Sequence, residues 1–404
     1  MLLSIAWRNL WRNRNRSLLI LVSVTVGLWA GTFIMAIYYG MGENRLRMAI
    51  EKEVSHLQIH HPRFSEDQEA VYCFPEAGVR RVLDTLSNTA AYALRTIGAG
   101  MLSNATGSRG ILVAGIDPVA EDATRSLSGT VEEGAYLTES GRHPILLGRK
   151  LADKLRIPLK GKVVLTLLDT AGAMTAAAFR VQGIYETANA PLDERIVYVR
   201  KGDLDALLGT TGSAHEAAVL LQGEGEPVER VQTLLEERLP GLKVETWKQI
   251  SPETALVISS LDTYNLIFIG IILLALSFGI INTMLMSVLD RMRELGVLMA
   301  VGMSRRRVFG MVLLETVLLT LAGVPSGLLL SFATIAWVGR TGIDLGNIAG
   351  DTLRDFGYET VIHPVMPTGS LADILVLVLL TATLSALYPA WKAISLRPVE
   401  AIRR

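Results

Sequence analysis

The residues that could bind a metal ion or act as a nucleophile are three histidines and one cysteine in the first part of the chain. His56, His60 and His61 lie close together, and Cys73 is the single cysteine. A zinc site needs further ligands at a characteristic spacing, and no Cys, Asp or Glu nearby supplies them. We therefore predict ordinary surface histidines, no metal site and no catalytic residue, and interpret Cys73 as a small, half-buried apolar residue.

The sequence also lacks a recognisable nucleotide-binding motif. The phosphate-cradling motif G-x-x-x-x-G-K-[ST] does not occur. The 39 basic and 39 acidic residues balance, so no bulk attraction to nucleic acid is expected. We expect no cofactor in this chain and no nucleic-acid partner, and any nucleotide energy must come from another polypeptide.

Glu315 is the clearest ionisable residue within an apolar stretch. A charge in hydrocarbon costs at least about 2.5 kcal/mol, so such a residue either lines a transport path or is paired. The apolar stretches contain no second clear charge of this kind, and this absence argues against a proton-coupled carrier. Packing at the interface or pairing with a neighbouring helix is therefore the favoured interpretation, with a transport role as the alternative.

Four apolar stretches must position these residues. Half of the 404 residues are apolar and 19% are charged, which suits a chain that is partly in a membrane. A bilayer core needs roughly 20 apolar residues in a helix. The first stretch is too long for a signal peptide, so we interpret it as a retained span. The predicted spans are residues 17–40, 263–289, 308–338 and 371–389.

Basic flanks predict the orientation of these spans, because Lys and Arg near span ends stay in the cytoplasm. The loop 339–370 is acidic, whereas the tail 390–404 is basic. We expect an inner-membrane protein with both termini in the cytoplasm and residues 41–262 outside. The other basic flanking residues are Arg8, Arg12, Arg14, Arg16, Arg291, Arg293, Arg305, Arg306 and Arg307.

Residues 41–262 alternate strand-like and helical patterns, which predicts a large α+β extracytoplasmic domain between the first and second of four transmembrane helices. VSHLQIH near its start and EAAVLLQ and LKVETW near its end read as strands, each end with an amphipathic helix. The two ends are expected to pair in one subdomain. The middle, about 119–208, predicts an inserted β-rich subdomain.

The start of the chain combines tryptophans with arginines. Trp7 and Trp11 lie four residues apart, with Arg8 and Arg12 beside them. This pattern predicts an amphipathic helix over residues 1–16 that lies on the lipid of the inner leaflet.

Two pairs of glycines have the spacing that lets membrane helices approach closely. Gly27 and Gly31 are in the first span, and Gly323 and Gly327 are in the third. They predict helix packing without identifying the helices that meet.

The loop 290–307 has the most informative pattern. Leu295, Leu298 and Met299 form an apolar stripe in a charged segment, and Gly302 offers a helix stop. We predict a short amphipathic helix whose apolar surface packs on lipid headgroups or on a partner protein.

This loop resembles the FtsX-like permeases of ABC transporters, in which a pattern like R-x-R-E-[IL]-G-[IV]-L-x-A-[LIV]-G follows the second span. The opening AWRNLWRNR and the ending YPAWKAISLRPVEAIRR are similar to those of the same family. ILLGRKLADKLRIPLKGKVVL and FRVQGIYET most resemble the outer domain of lipoprotein-releasing (Lol-type) and, more distantly, MacB-type permeases. The matching loop residues are Arg291, Arg293, Glu294, Leu295, Gly296, Val297, Leu298, Ala300, Val301 and Gly302.

The resemblance implies a partner and a mechanism. It implies that a separate ABC ATPase, which binds ATP and Mg²⁺, docks on a coupling helix around Arg293 to Gly302. The coupling residues assigned on this basis are Arg291, Arg293, Glu294, Leu295, Gly296, Leu298, Met299 and Gly302. It also implies a homo- or heterodimer of permeases in which spans one and two pack at the interface. Such permeases transmit ATP-driven motion to their outer domains, by mechanotransmission, to extract or export a lipoprotein or other amphipathic substrate.

One departure concerns the periplasmic partner. The Lol subunit that recruits a periplasmic carrier has a longer loop between two strands where this chain has only residues 169–178. The resemblance therefore leaves open a hookless subunit, another substrate, or a second function. In that second function an FtsX-like regulator transmits ATPase motion to a periplasmic cell-wall hydrolase.

Overall fold

The computed structural model describes residues 14–138, 141–223, 227–366 and 370–395. Its helices are α1 (Arg14–Met48), α2 (Phe64–Asp67), α3 (Glu76–Asp84), α4 (Pro118–Arg125), α5 (Arg149–Leu155), α6 (Ala190–Arg195), α7 (Lys201–Leu208), α8 (Val228–Arg238), α9 (Trp247–Ile250), α10 (Pro252–Asp290), α11 (Met292–Ala300), α12 (Arg305–Thr341), α13 (Gly346–Asp355) and α14 (Ser370–Ser395). Its strands are β1 (Leu57–His60), β2 (Phe74–Pro75), β3 (Thr89–Ser103), β4 (Ser108–Ile116), β5 (Val131–Gly134), β6 (Pro144–Gly148), β7 (Lys162–Leu168), β8 (Met174–Tyr185), β9 (Ile196–Arg200), β10 (Ser213–Ala214), β11 (Glu216–Leu221), β12 (Lys243–Thr246), β13 (Ile343–Asp344) and β14 (Val361–Ile362).

These elements form two compact units. Of the described residues, the membrane unit contains those up to Gly42, Ser259–Ile343 and those from Ile362 on. The outer unit contains Glu43–Ile258 and Asp344–Val361. Helices α1, α10, α12 and α14 are long and apolar enough to cross a membrane. The predicted fold class, four membrane helices with an α+β domain between the first two, is confirmed.

Glycines set the packing of α1 within the membrane unit. A Cβ atom added at Gly31 would lie 2.8 Å from the Ile272 side chain of α10, and one at Gly27 would lie 2.9 Å from Leu276. On α12, a Cβ atom at Gly327 would lie 2.9 Å from the Leu28 side chain of α1. Small residues therefore let α1 pack closely between α10 and α12.

Polar side chains support the interface between α1 and α12. The hydroxyls of Thr25 and Ser326 are 2.7 Å apart, and the indole of Trp29 donates to the Thr334 hydroxyl over 3.0 Å. A Cβ atom at Gly323 would lie 3.0 Å from Val24 of α1. Both predicted glycine pairs thus lie at contacts within the chain.

The outer unit begins and ends in the same layer. Strand β1 pairs antiparallel with β11 on one side and with β12 on the other, so the predicted pairing of the two ends is confirmed. Helices α3 and α8 place Val79, Leu83, Val231 and Leu235 in the core against these strands. Alternating strand residues and the apolar stripes of the helices produce this layer.

Six strands close a barrel beside this layer, in the ring β3–β4–β9–β6–β8–β7 and back to β3. The barrel takes in the second half of β3, from Thr96, and all of β4, so it starts before the predicted boundary at residue 119. The difference arises because β3 is one continuous strand that pairs with β11 in its first half and with β4 in its second. No turn or break in the sequence marks that point.

A buried ion cluster lies where the layer meets the barrel. Arg95 on β3 binds Glu121 with both ends of its guanidinium group, at 2.8 and 2.9 Å, and also binds Glu216. Burial alone would raise the pKa of the Glu216 carboxyl, but the charge of Arg95, followed by those of His60 and Arg125, holds that pKa below its usual value. The cluster ties α4 and β11 to β3.

Candidate coupling site

The predicted coupling helix is α11, and its first turn is held by an ion pair. Arg291 precedes α11 and donates to both carboxylate oxygens of Glu315 on α12, at 3.0 and 3.2 Å, while its Nε donates to Glu294 at 3.1 Å. The Arg291 and Glu315 side chains are largely buried. Glu315 is therefore paired, as the interpretation of pairing with a neighbouring helix expected, and its partner is the residue between α10 and α11.

The apolar stripe of α11 packs against the chain's own membrane helices. Leu295 is only 2% exposed, in a cluster with Val288 of α10 and Met311 of α12, and Leu298 and Met299 lie half-buried against the same cluster. The surface that the sequence left open to lipid or a partner is thus largely covered within the chain. Gly296, also buried, lies on this inward side.

The opposite face of α11 is exposed. Arg293 and Ala300 are exposed, Val297 is 47% exposed and Val301, directly after the helix, is 83% exposed. Val297 and Val301 are one helical turn apart, with Arg293 one turn earlier, so these residues share one face. Two exposed valines and an arginine therefore lie on the face of α11 opposite to Leu295.

Gly302 ends α11 in a defined way. Its φ of +105° lies in the region that favours glycine. The Gly302 amide donates to Met299 O at 3.2 Å, and the Met303 amide donates to Leu298 O at 3.0 Å. This Schellman pattern confirms the predicted helix stop, and α12 begins directly afterwards at Arg305.

The end of the membrane-helix bundle (α1, α10, α12 and α14) that carries α11 is positively charged. Arg305, Arg306 and Arg307, in the first turn of α12, are all exposed, as is Arg293. Positive side chains at a helix N-terminus are not favoured by the helix dipole. Their position is thus better explained by interactions outside the helix, with lipid or with an acidic partner.

The predicted interfacial residues Trp7, Arg8, Trp11 and Arg12 lie outside the described residues, as does the chain after Ser395. The prediction of an amphipathic helix over residues 1–16 therefore stays a prediction.

The prediction of ordinary surface histidines is wrong for His60, because β1 lies between β11 and β12 in the outer unit. His60 is buried on β1 with its Nε2 atom 3.1 Å from the Gln58 side-chain oxygen, and His56 Nδ1 accepts from the Leu221 amide at 3.1 Å. Burial lowers the pKa of His56. Among the described residues, no group of three or more His, Cys, Asp and Glu side chains is placed to hold a metal ion.

Sequence reasoning missed two features of α11. It did not join Arg291 to Glu315, although one residue follows the second span and the other lies two turns into the third. It also named Leu295, Leu298 and Met299 as the apolar coupling residues and did not single out Val297 and Val301, which lie exposed on the other face. The sequence signal is that apolar residues lie on both sides of one short helix, with Leu295 and Leu298 on one side and Val297 and Val301 on the other.

Comparison with protein families places most of the membrane unit. Residues 266–398, about a third of the chain, match the FtsX-like permease C-terminal family. The match begins in α10 and includes α11, α12 and α14.

Relatives extend the similarity to the rest of the chain. An uncharacterised ABC transporter permease of Methanocaldococcus jannaschii is 21% identical over 100% of this chain and 97% of that protein. The lipoprotein-releasing system transmembrane protein LolC of Xylella fastidiosa is 25% identical over 72% of each chain. An uncharacterised ABC transporter permease of Mycobacterium tuberculosis is 26% identical over 75% of this chain, which spans only 34% of that relative.

Among solved structures, the periplasmic region of MacB from Actinobacillus actinomycetemcomitans matches 53% of this chain and 94% of its own length. The identity is 13% and the TM-score is 0.37.

Proposed function

This chain carries an FtsX-like permease domain and is similar to ABC transporter permeases, and from that premise we propose that it is the transmembrane subunit of an export complex. A separate ATPase, with its ATP and Mg²⁺, docks on α11. A second permease, identical or related, completes the complex. Its substrate is a lipoprotein or another amphipathic molecule, as the similarity to LolC suggests.

The observation that carries this proposal is the geometry of α11. One face is fixed to α10 and α12 by Leu295 and by the pair of Arg291 and Glu315. The other face presents Val297 and Val301. A helix that is rigid on one side and exposed and partly apolar on the other is suited to transmit the movement of a docked partner to the membrane helices.

Charge supports the orientation of the complex. The exposed arginines Arg293, Arg305, Arg306 and Arg307 lie at the end of the bundle that carries α11. By the positive-inside rule this end faces the cytoplasm of a bacterial inner membrane, where an ATPase would be found. Both termini then lie in the cytoplasm and the outer unit in the periplasm.

The continuity of α12 supports mechanotransmission. This helix starts at Arg305, three residues after the Gly302 stop, and continues as one helix to Thr341. The chain then enters residues 344–361, which belong to the outer unit. Movement at α11 can thus reach the outer unit along one helix, without substrate having to pass between the spans.

The exposed face of α11 gives the first prediction. Val297→Asp should lower ATPase recovery in a pull-down at least about tenfold, because docking would bury an unpaired carboxylate. Leu298→Asp is a poorer test because this half-buried residue also packs on the bundle. Val119→Asp, at a residue 80% exposed in the outer unit, is the matched control. Equal ATPase recovery with both variants would contradict docking at α11.

A mild-detergent pull-down of the full chain, with mass spectrometry of proteins and lipids, tests the proposal as a whole. Recovery of an ATPase with lipoproteins would support the exporter. An ATPase with a cell-wall hydrolase would instead support an FtsX-like regulator. Failure to recover any ATPase would contradict both functions.

A further inference from the structure

The outer ends of the membrane helices are connected to the outer unit at four points along the chain. These are the junctions after Gly42, Ile258, Ile343 and Val361. A movement that travels along the chain from the spans to the outer unit passes through the residues on either side of these junctions. Arg45, three residues beyond the first junction, has contacts in the outer unit near two of the other junctions, those after Ile258 and Val361.

The guanidinium group of Arg45 is held on three sides. It donates to both carboxylate oxygens of Glu53, at 3.0 and 3.1 Å, and to the Thr254 hydroxyl at 2.8 Å. The Arg45 and Glu53 side chains are only 9% and 8% exposed. Arg45 thereby joins the end of α1 to the first turn of α10.

The third side of Arg45 packs against residues 344–361. A Cβ atom added at Gly357 would lie 3.1 Å from Arg45 Cζ and 3.2 Å from its Nε, so the guanidinium lies directly on this backbone. Gly357 has a φ of +76°, which favours glycine as well. The segment that links α12 to α14 is therefore in contact with the same side chain.

Neighbouring hydrogen bonds reinforce this junction. The Asn44 amide donates to Glu359 at 2.8 Å, and the Glu359 backbone amide donates back to the Asn44 side-chain oxygen at 3.4 Å. Asn189, at the start of α6, donates to Glu53 at 2.8 Å. The polar network thus continues from Arg45 into the part of the outer unit that carries the barrel.

Arginine has a physical reason to occupy this position. Its planar group directs several donors at fixed angles, so a bidentate carboxylate and a hydroxyl together fix its orientation. A buried ion pair gives little net stability compared with apolar residues of similar size, but it can specify a unique arrangement. Stability alone therefore does not explain why a charge is buried here.

We propose that Arg45 is a positioning residue that holds the outer ends of α1 and α10 and residues 344–361 as one body. ATP-driven movement of the spans then reaches the outer unit as a single displacement. This inference rests on the proposed function, because it requires an ATPase that moves the spans.

The test compares two variants of the full chain in complex with the ATPase recovered in the pull-down. Arg45→Met combined with Glu53→Gln removes both charges together, retains an acceptor for Asn189, and leaves the Thr254 hydroxyl bonded to Ser251. Arg47→Met, at an exposed arginine two residues away, is the matched control. The readout is amide hydrogen exchange in β1 and β12, with and without ATP and vanadate.

We expect the double variant to bind and hydrolyse ATP as the wild type does, while the nucleotide-dependent change in exchange falls about fivefold, in the range for residues that couple distant sites. The control should retain the full change. An undiminished change in the double variant would overturn the role of Arg45 and leave the proposed function standing. A wild-type complex without any nucleotide response would overturn both.

A second variant covers the case in which the double variant does not fold. Thr254→Val preserves the shape of the side chain and the buried ion pair but removes one of the three bonds to Arg45. It should reduce the nucleotide-dependent change in exchange without changing ATPase binding. A full response in Thr254→Val, with the double variant unfolded, would assign Arg45 a purely structural role.

Discussion

Two buried ion pairs lie where elements must keep a fixed relation. Arg291 with Glu315 fixes the start of α11 on α12, and Arg45 with Glu53 fixes the end of α1. Removing one member of such a pair is costly because the other charge stays buried, whereas the intact pair adds little net stability. At the scale of single residues, these arginines therefore contribute geometry more than stability.

Asp193 is a buried carboxyl whose environment favours the neutral form. Burial raises the pKa of Asp193 to about 6, although two hydrogen bonds from Thr187 act to lower it. The folded state thus binds a proton that the unfolded state releases near pH 4. This contribution to stability is fully present below about pH 4 and is lost as the pH rises through about 6.

Asp193→Asn should therefore stabilise the outer unit more at pH 7.5 than at pH 4.5. The shift of about two pH units corresponds to roughly 3 kcal/mol at most. The amide can still accept from the Thr187 backbone and donate to its hydroxyl. Thermal unfolding of both proteins at the two pH values is the measurement. Asp351→Asn, at an exposed position, is the control, and an equal effect of Asp193→Asn at both pH values would contradict the pKa.

Among the elements, α1 is the helix whose packing depends most on small residues. Its own glycines admit Ile272 and Leu276 of α10, and glycines of α12 admit its Val24 and Leu28. Helices in lipid associate through close contact rather than through burial from water, so lost contact is not replaced. Small residues at these four positions therefore decide whether α1 can lie between two neighbours.

Gly327→Leu should separate α1 from α12. Even the Cβ atom would lie 2.9 Å from Leu28, and overpacking of this kind typically costs about 1–3 kcal/mol. We expect a lower midpoint of thermal unfolding in detergent.

Gly270→Leu is the matched control for this variant. Gly270 is an exposed glycine of α10 with no atom close to its would-be Cβ. If both variants unfold at the same temperature, the contact between Gly327 and Leu28 does not limit the stability of the bundle.

For the whole molecule, the sequence predicted those features that repeat along the chain. Long apolar runs identified the four spans, and period-two strands identified β1, β11 and β12. It could not predict that the barrel begins within β3, because the strand continues through Thr96 without a turn or a break in the sequence. Such boundaries are set by the choice of pairing partner, which lies far away in the sequence.

The candidate site was predictable in position but not in detail. Motif and periodicity located α11 and its stop at Gly302, since both depend on neighbouring residues. The side of α11 that meets the bundle depends on α10 and α12, so Leu298 rather than Val297 was expected to dock. The sequence does not distinguish Arg45 from Arg47, two residues away, because the two side chains are identical and differ only in their burial and tertiary partners.

Residues 344–361 belong to the outer unit although they are distant from it in the chain. Lys150 binds Asp355 at 2.6 Å, Arg354 binds Glu186, and Gly357 packs on Arg45. Exposed ion pairs contribute little individually, so we expect these contacts together to add about 2 kcal/mol.

An outer unit of residues 43–258, joined by a flexible linker to residues 344–361, should therefore unfold roughly 4–8 °C above residues 43–258 alone. Calorimetry of the two soluble proteins is the measurement. The joined protein with Lys150→Ala and Glu186→Ala, which keeps the linker but loses both ion pairs, should fall between them. Equal unfolding temperatures for the joined and unjoined proteins would mean that residues 344–361 only cover the outer unit, and movement of α12 would then have no firm connection to it.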